Sequence, residues 1–234
     1  MNSEDIKNLP AARSLIYADG IKQEDMNKHF VAIVNSFCDI VPGHIHLNKL
    51  AEQAKEGVRK AGGIPLEFNS IAICDGIAMG HNGMKYSLVS REIIADSVEA
   101  MILGHGIFKG AIFICSCDKI VPGMLMASLR CNLPSVFVTG GPMLPGKQNG
   151  KAIDVKDSFS AKAALEGGKI TPEEYEEVVC KSCPGAGSCA GLFTANSMAC
   201  IVETLGMSEA MCATTHATMK EKAQQAFNSG EKVM

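Results

Sequence analysis

Tryptophan is absent from this sequence, and aromatic residues make up only 5% of it. Its interior must therefore be built from aliphatic side chains, methionine and cysteine rather than from stacked rings. No apolar run approaches the roughly 20 residues that span a bilayer, so no membrane association is expected. There is no long basic run and the net charge is −3, which offers no electrostatic footprint for nucleic acid. The opening stretch MNSEDIKNLPAARS lacks the apolar core of a secretory signal, and a cytoplasmic location is the expectation. No internal repeat or low-complexity tract is visible. What the chain has in excess is cysteine, 10 in 234 residues. Without a secretory signal these are expected as free thiols or metal ligands rather than disulfides. With 47% hydrophobic and 20% charged residues, the chain can bury a sizeable core.

Apolar runs alternate with helical spacing. FVAIVN (30–35) reads as a buried strand, followed by a helix with Leu47, Leu50, Ala54 and Val58 on one face, stopped by Gly62 and Gly63. LEFNSIAI (66–73) reads as a strand and residues 87–106 as a helix. AIFIC (111–115) is a strand, GMLMASLRC (123–131) a helix and SVFVTG (135–140) a strand. The alternation predicts an α/β fold, a mainly parallel sheet flanked by helices. Residues 149–160 read as a loop. From Ala161 onward the pattern is helical, strongest over 190–206, which gives a helical C-terminal segment.

In such sheets ligands sit beyond the carboxyl ends of the strands. The reading places Cys74 and Cys117 each at the close of an apolar strand, and each is followed by an aspartate, Asp75 and Asp118. Cys189 lies in CPGAGSC, a glycine-rich loop opening a helix, where free N–H groups favour a thiolate. The residues alone leave two readings open for these three cysteines, metal ligand or core. Three thiolates are too few to enclose a structural zinc, but they suit an iron–sulfur cluster with one open, Lewis-acidic iron. Cys38, Cys115, Cys131, Cys180, Cys200 and Cys212 read as small buried hydrophobes. Cys183 also reads as structural, although C-x-x-C with Cys180 is a pattern for zinc or redox chemistry. The carboxylates of Asp75 and Asp118 suit Mg²⁺, or equally a helix cap or loop hydrogen bond. Lys119 reads equally as a salt-bridge partner of Asp118. The stretch from Gly141 to Lys147 imitates a phosphate-binding loop, but Gln148 stands where Mg²⁺ needs Ser or Thr, and Pro142 and Pro145 remove N–H donors.

Three long segments carry more. CDGIAMGHNGMKYSLVSREIIADSVE (74–99), SCDKIVPGMLMASLRCNLPSVFVTGGPM (116–143) and SCPGAGSCAGLFTANSMACIVETLGMS (182–208) closely resemble the dihydroxy-acid and phosphogluconate dehydratase family. The likeness is greatest to its dihydroxy-acid branch, in valine and isoleucine biosynthesis, and runs from about Ala12 to the C-terminus. The resemblance implies that Cys117 and Cys189 hold an iron–sulfur cluster and that Asp75, Asp118 and Lys119 bind Mg²⁺, the lysine as a carbamate. Members with a [2Fe–2S] cluster carry a cysteine where this chain has Gly43. Cys74 offers a replacement, so a [4Fe–4S] cluster on Cys74, Cys117 and Cys189 is expected, with [2Fe–2S] the alternative and Cys38 a weaker substitute. His44, His46 and His81 are read as loop hydrogen-bonders near the site. The implied reaction removes water from a 2,3-dihydroxy carboxylate to give a 2-oxo acid, with no net redox change. The implied partners are that small-molecule substrate and, for the full-length protein, a second copy in a homodimer.

Family members are more than twice as long, with a β-rich C-terminal domain that supplies the base. Residues 1–234 are thus expected to be an N-terminal metal-cluster-binding α/β domain, inactive alone. Two alternatives stay open: a phosphogluconate or sugar-acid dehydratase, and a cluster-binding fragment or partner subunit.

Overall fold

The computed structural model describes residues 8–234. The sheet begins with β1 (Phe30–Asn35), buried at every position, as an unbroken apolar run must be when both faces are covered. β2 (Ile64–Asn69), β3 (Phe108–Cys115) and β4 (Ser135–Thr139) complete a parallel sheet in the order β2–β1–β3–β4. Before it comes α1 (Pro10–Ala18), whose Ile16 packs on Met26 and Phe30. α2 (Leu47–Lys60) joins β1 to β2. The short α3 (Asp75–Ala78) and the long α4 (Lys85–His105) lead to β3, and α5 (Ile120–Cys131) joins β3 to β4.

Helices cover both faces. On one, Ile94, Val98 and Ile102 of α4 and Ile120, Met124 and Ala127 of α5 pack on Phe113 and Phe137, whose rings stack with centroids 4.8 Å apart. On the other, Leu47, Leu50, Ala54 and Val58 of α2 meet Ile33, Ile112 and Val138, joined by Ala226 of α9 (Lys220–Lys232). The α2–α9 approach needs glycine on both sides: a Cβ on Gly57 would run into the Phe227 carbonyl, and one on Gly230 into the Ala54 carbonyl. Between β4 and α9 lie the hairpin β5 (Gly146–Gln148) and β6 (Lys151–Ile153), then α6 (Val155–Glu166), α7 (Pro172–Ser182) and α8 (Thr194–Thr204). No helix among the described residues is long and apolar enough to cross a membrane.

The α/β architecture with a helical C-terminal segment agrees with the sequence reading, and several boundaries move. The second strand occupies Ile64–Asn69 rather than 66–73, because β1, its only ladder partner among the described residues, ends at Asn35. Residues 149–160 are not a loop. Asn149 and Gly150 have φ of 49° and 77°, the left-handed pair that closes a two-residue hairpin. Asp154 then caps α6 in a capping box with Asp157. α5 begins at Ile120, three residues before the expected start; Pro122 is tolerated there because first-turn N–H groups need no helical partner. α8 begins only at Thr194. Lys147 lies in the β5–β6 hairpin, with no helix opening behind it as a phosphate loop requires.

Candidate active site

The order β2–β1–β3 makes a switch point between β1 and β3, since the chain leaves β1 toward one edge and returns on the other. That is where open parallel sheets hold ligands. The loops beyond β1 and β3 touch here. A Cβ on Gly43 would lie 2.7 Å from Cys117 Sγ and 3.1 Å from Ser116 Oγ, so the missing side chain at 43 is the space the thiol occupies. A third loop is fastened to them: Gly187 N donates to Pro42 O (3.0 Å), Ser188 N to Gly141 O (3.0 Å) and Met143 N to Ser188 O (2.8 Å). Cys117 has φ 64°, a left-handed conformation costly for a residue with a Cβ. Cys117 therefore does not close the strand, as the sequence reading had it; β3 has already ended at Cys115, and Cys117 and Asp118 lie in the turn that follows it.

The three selected thiols lie within electrostatic reach of one another. Burial pushes the Cys117 thiol up, and Cys74 and Cys189 push it further. Cys189 is pushed up to about 11, first by burial, then by Cys183 and Cys74. A helix-terminal thiolate was the expectation for Cys189. It fails because α8 starts at Thr194, five residues on, and burial dominates. Nor does Cys74 close a strand: β2 ends at Asn69 and Cys74 stands at the N-cap of α3. Cys115, Cys131 and Cys212 are buried as expected, Cys38 and Cys200 are half-buried, and Cys180 is exposed on α7, contrary to its reading as a core hydrophobe. Cys183, read as structural although its C-x-x-C spacing with Cys180 had pointed to metal or redox chemistry, is exposed and is the thiol that acts most strongly on Cys189.

The carboxylates form a second group. Lys119 Nζ lies 3.2 Å from Asp75 Oδ2 and closer to Asp118 Oδ2, and Ser87 Oγ donates to Asp75 Oδ1 at 2.6 Å. Neither aspartate is used as a cap: the N-cap positions of α3 and α5 are Cys74 and Lys119, and no side chain caps either helix. Burial alone would raise the Asp118 carboxyl, but the hydrogen bond from Lys119 and the neighbouring Thr194 hydroxyl hold it below the usual range. Burial likewise opposes the Lys119 charge, and the two carboxylates outweigh it and raise its pKa. As the chain stands, then, Lys119 is an ammonium ion bridging two acids.

His44 and His46 serve as the loop hydrogen-bonders expected. His44 is fully buried, and its Nδ1 meets Ser36 O at 2.6 Å. Its Nε2 is buried without a hydrogen-bond partner among the described residues. Burial lowers its pKa to about 4. His46 Nε2 meets Gly140 O at 2.8 Å, and burial lowers its pKa too. His81 is exposed and accepts a bond from Gly83 N at 2.9 Å, which uses it in its own turn. A cleft of about 300 Å³ opens beside the third loop, lined by Met143, Ala190, Leu192, Asn196, Thr214 and His216 among others. Cys117, Asp118 and Lys119 do not line it.

Among the described residues no three His, Cys, Asp or Glu side chains are already drawn together as a ligand set. The donor chemistry nevertheless fits two metals. Buried thiols that raise one another's pKa are stabilised as thiolates by a cation, and a pair of carboxylates already gathered round a positive charge suits a hard divalent ion.

The profile "Dihydroxy-acid/6-phosphogluconate dehydratase N-terminal" matches residues 28–234. A dihydroxy-acid dehydratase of Methanococcus aeolicus is 60% identical over 222 residues, covering 95% of this chain and 40% of that protein. One from Methanobrevibacter smithii is 53% identical over 237 residues, covering 100% of this chain and 43% of its own length, and one from Methanosarcina barkeri is 52% identical with the same coverage. The chain thus spans about two fifths of the length of the curated relatives it matches.

Proposed function

The chain belongs to the dihydroxy-acid/6-phosphogluconate dehydratase family, and on that premise we propose that residues 1–234 are the N-terminal metal-binding α/β domain of a hydro-lyase. The reaction proposed is removal of water from a 2,3-dihydroxy carboxylate to give a 2-oxo acid in branched-chain amino-acid biosynthesis. The observation that carries the reading is the meeting, at the β1–β3 switch point, of interacting thiols and a Lys119-bridged pair of carboxylates. Dehydration of a branched-chain dihydroxy acid and of phosphogluconate or another sugar acid would both use such a crevice; the names of the relatives favour the dihydroxy acid.

Cys74, Cys117 and Cys189 would hold a [4Fe–4S] cluster, and Asp75, Asp118 and carbamylated Lys119 would hold Mg²⁺. When bound, these groups supply Lewis acidity at the leaving hydroxyl and at the substrate's carboxylate end. The chain's own residues do the rest. Ser87 orients Asp75, and the Thr194 hydroxyl lies beside Asp118 and favours its charge. Gly43 leaves the Cys117 thiol room. A homodimer of the full-length protein is carried over from the resemblance.

The test is anaerobic reconstitution with iron and sulfide, followed by counting of both. One [4Fe–4S] cluster per chain is expected, lost in Cys74→Ser, Cys117→Ser and Cys189→Ser and kept in Cys38→Ser. A full cluster in Cys74→Ser together with its loss in Cys38→Ser would overturn the ligand assignment, and no uptake at all would overturn the metal reading.

A further inference from the structure

Cys189 is held from behind by one side chain. Its loop leaves α7 through Pro184, Gly185 and Gly187, and Gly187 has φ 128° with no space for a Cβ against Met143. Backbone bonds fasten the loop to its neighbours as far as Ser188. Beyond that point the fastening passes to Asn196, in the first turn of α8. Its Nδ2 donates to the Cys189 carbonyl at 3.0 Å, and its Oδ1 accepts from Ser188 Oγ at 2.7 Å. Ser188 and Asn196 are both buried, at 4% and 5% exposure. An asparagine at the start of a helix ordinarily bonds nearby backbone as a cap or turn. Here the first turn of α8 has no side-chain cap, and both ends of the carboxamide are turned toward the loop. One planar group thus reads two successive residues, which fixes the peptide orientation at Cys189 and with it the direction of its side chain.

We infer that Asn196 is a positioning residue for the Cys189 thiol, with Ser188 holding Asn196 in place. The bearing of this on a metal rests on the reading of Cys189 as a cluster ligand. Asn196→Asp separates the two bonds: it keeps an acceptor for Ser188 but turns a second oxygen toward the Cys189 carbonyl. Asn196→Leu removes both bonds. Ser188→Ala leaves α8 untouched and tests the support alone.

Two measurements decide the matter. In the metal-free chain, alkylation of each cysteine by iodoacetamide is followed by peptide mass spectrometry, beside thermal unfolding. Loss of a buried hydrogen bond corresponds to about ten-fold in the loop's opening equilibrium. Asn196→Asp and Asn196→Leu should therefore raise Cys189 labelling about ten-fold and leave Cys117 and Cys115 unchanged, with a smaller rise in Ser188→Ala. In the reconstituted chain the same variants should lose iron in the same order. Labelling of Cys189 in Asn196→Asp at the unaltered rate, or an equal rise at all buried cysteines, would overturn the positioning role. Failure of the unaltered chain to take up iron would remove the ligand reading of Cys189, while the labelling pattern would still decide whether Asn196 directs that thiol.

Discussion

Lys119 and Lys222 are two answers to the same problem, an amine taken out of water. Beyond β3, Lys119 lies against Asp75 and Asp118 at the mouth of a crevice, and its charge is favoured although burial opposes it. On α9, Lys222 is fully buried. It donates to the Cys212 carbonyl and lies 3.4 Å from Cys212 Sγ. The acid that influences it is Glu203, whose two oxygens are occupied by the N–H groups of Met211 and Ala213. Burial therefore lowers the Lys222 pKa. Charge is kept where an ionic ligand is proposed. Where a loop only has to be tied to the sheet, the fold disfavours charge and uses the amine as a hydrogen-bond donor. The contrast is between an electrostatic site and a tether, built from the same residue type.

His44 sharpens that contrast with the largest expected effect. It belongs to the crevice but follows the rule of Lys222, because burial outweighs its charge and brings its pKa to about 4. The unfolded chain titrates near 6.5 and so takes up the proton first as pH falls. Stability is then present above about pH 6.5 and lost toward pH 4, by about 3 kcal/mol. His46, also lowered by burial, adds in the same direction. Urea unfolding at pH 7 and pH 4.5 should show most of this loss in the unaltered chain and a much smaller one in His44→Asn. Equal losses in both would mean that His44 is protonated in the fold and that the crevice obeys one rule throughout.

Lys119→Met, in the metal-free chain at pH 7, comes next. It leaves Asp75 and Asp118 facing each other without a counter-charge. Breaking a fully buried pair costs about 3–5 kcal/mol. These side chains keep 15–23% exposure, and solvent screening reduces the expected loss to about 2 kcal/mol. Urea unfolding measures it directly. A variant as stable as the unaltered chain would show that the carboxylates share a proton instead and that Lys119 is no electrostatic centre.

How much of this was legible in the sequence depends on range. β1 and the core face of α2 are local patterns, apolar runs and helical spacing, and the structure agrees with them. The Asn149–Gly150 hairpin was equally local, and the turn chemistry that specifies it was present but overlooked in a stretch that looked merely polar. Cys117, Asp118 and Cys189 stood out locally as candidates, but only the long motifs decided between ligand and core, because no spacing rule ties the loop after β3 to the separate loop that carries Cys189. Asn196 and Lys222 were out of reach. Each acts through a partner that the fold brings in from another segment, and α9 is so polar in sequence, KEKAQQAFNSGEK, that a lysine with no exposed surface is unforeseeable there. Cys180 shows the converse error, since a composition rule for cysteine placed it in the core and the amphipathic position of α7 exposes it.

The smallest effect is the one that most directly separates tether from site. Lys222→Met removes an amine that gains little from being there. The methionine keeps the length and most of the volume of the buried stem, in a pocket tight enough that a Cβ on Gly141 would sit 2.8 Å from Lys222 Cε. The Cys212 carbonyl does not become an orphan, because Thr139 Oγ1 also donates to it at 3.2 Å. One hydrogen bond is lost and one amine no longer needs desolvating, and the two nearly cancel, so stability at pH 7 should change by less than about 1 kcal/mol. The pH dependence gives a second signature. The folded pKa lies below the usual value, so between the two the unfolded chain holds more protons and stability rises with pH. The unaltered chain should gain stability relative to Lys222→Met as pH is raised from 7 toward 10, measured by urea unfolding of both. A loss above about 3 kcal/mol in Lys222→Met at pH 7 would instead be that of a broken buried ion pair. Lys222 would then carry a charge matched by a Cys212 thiolate, and the distinction between the two lysines would collapse.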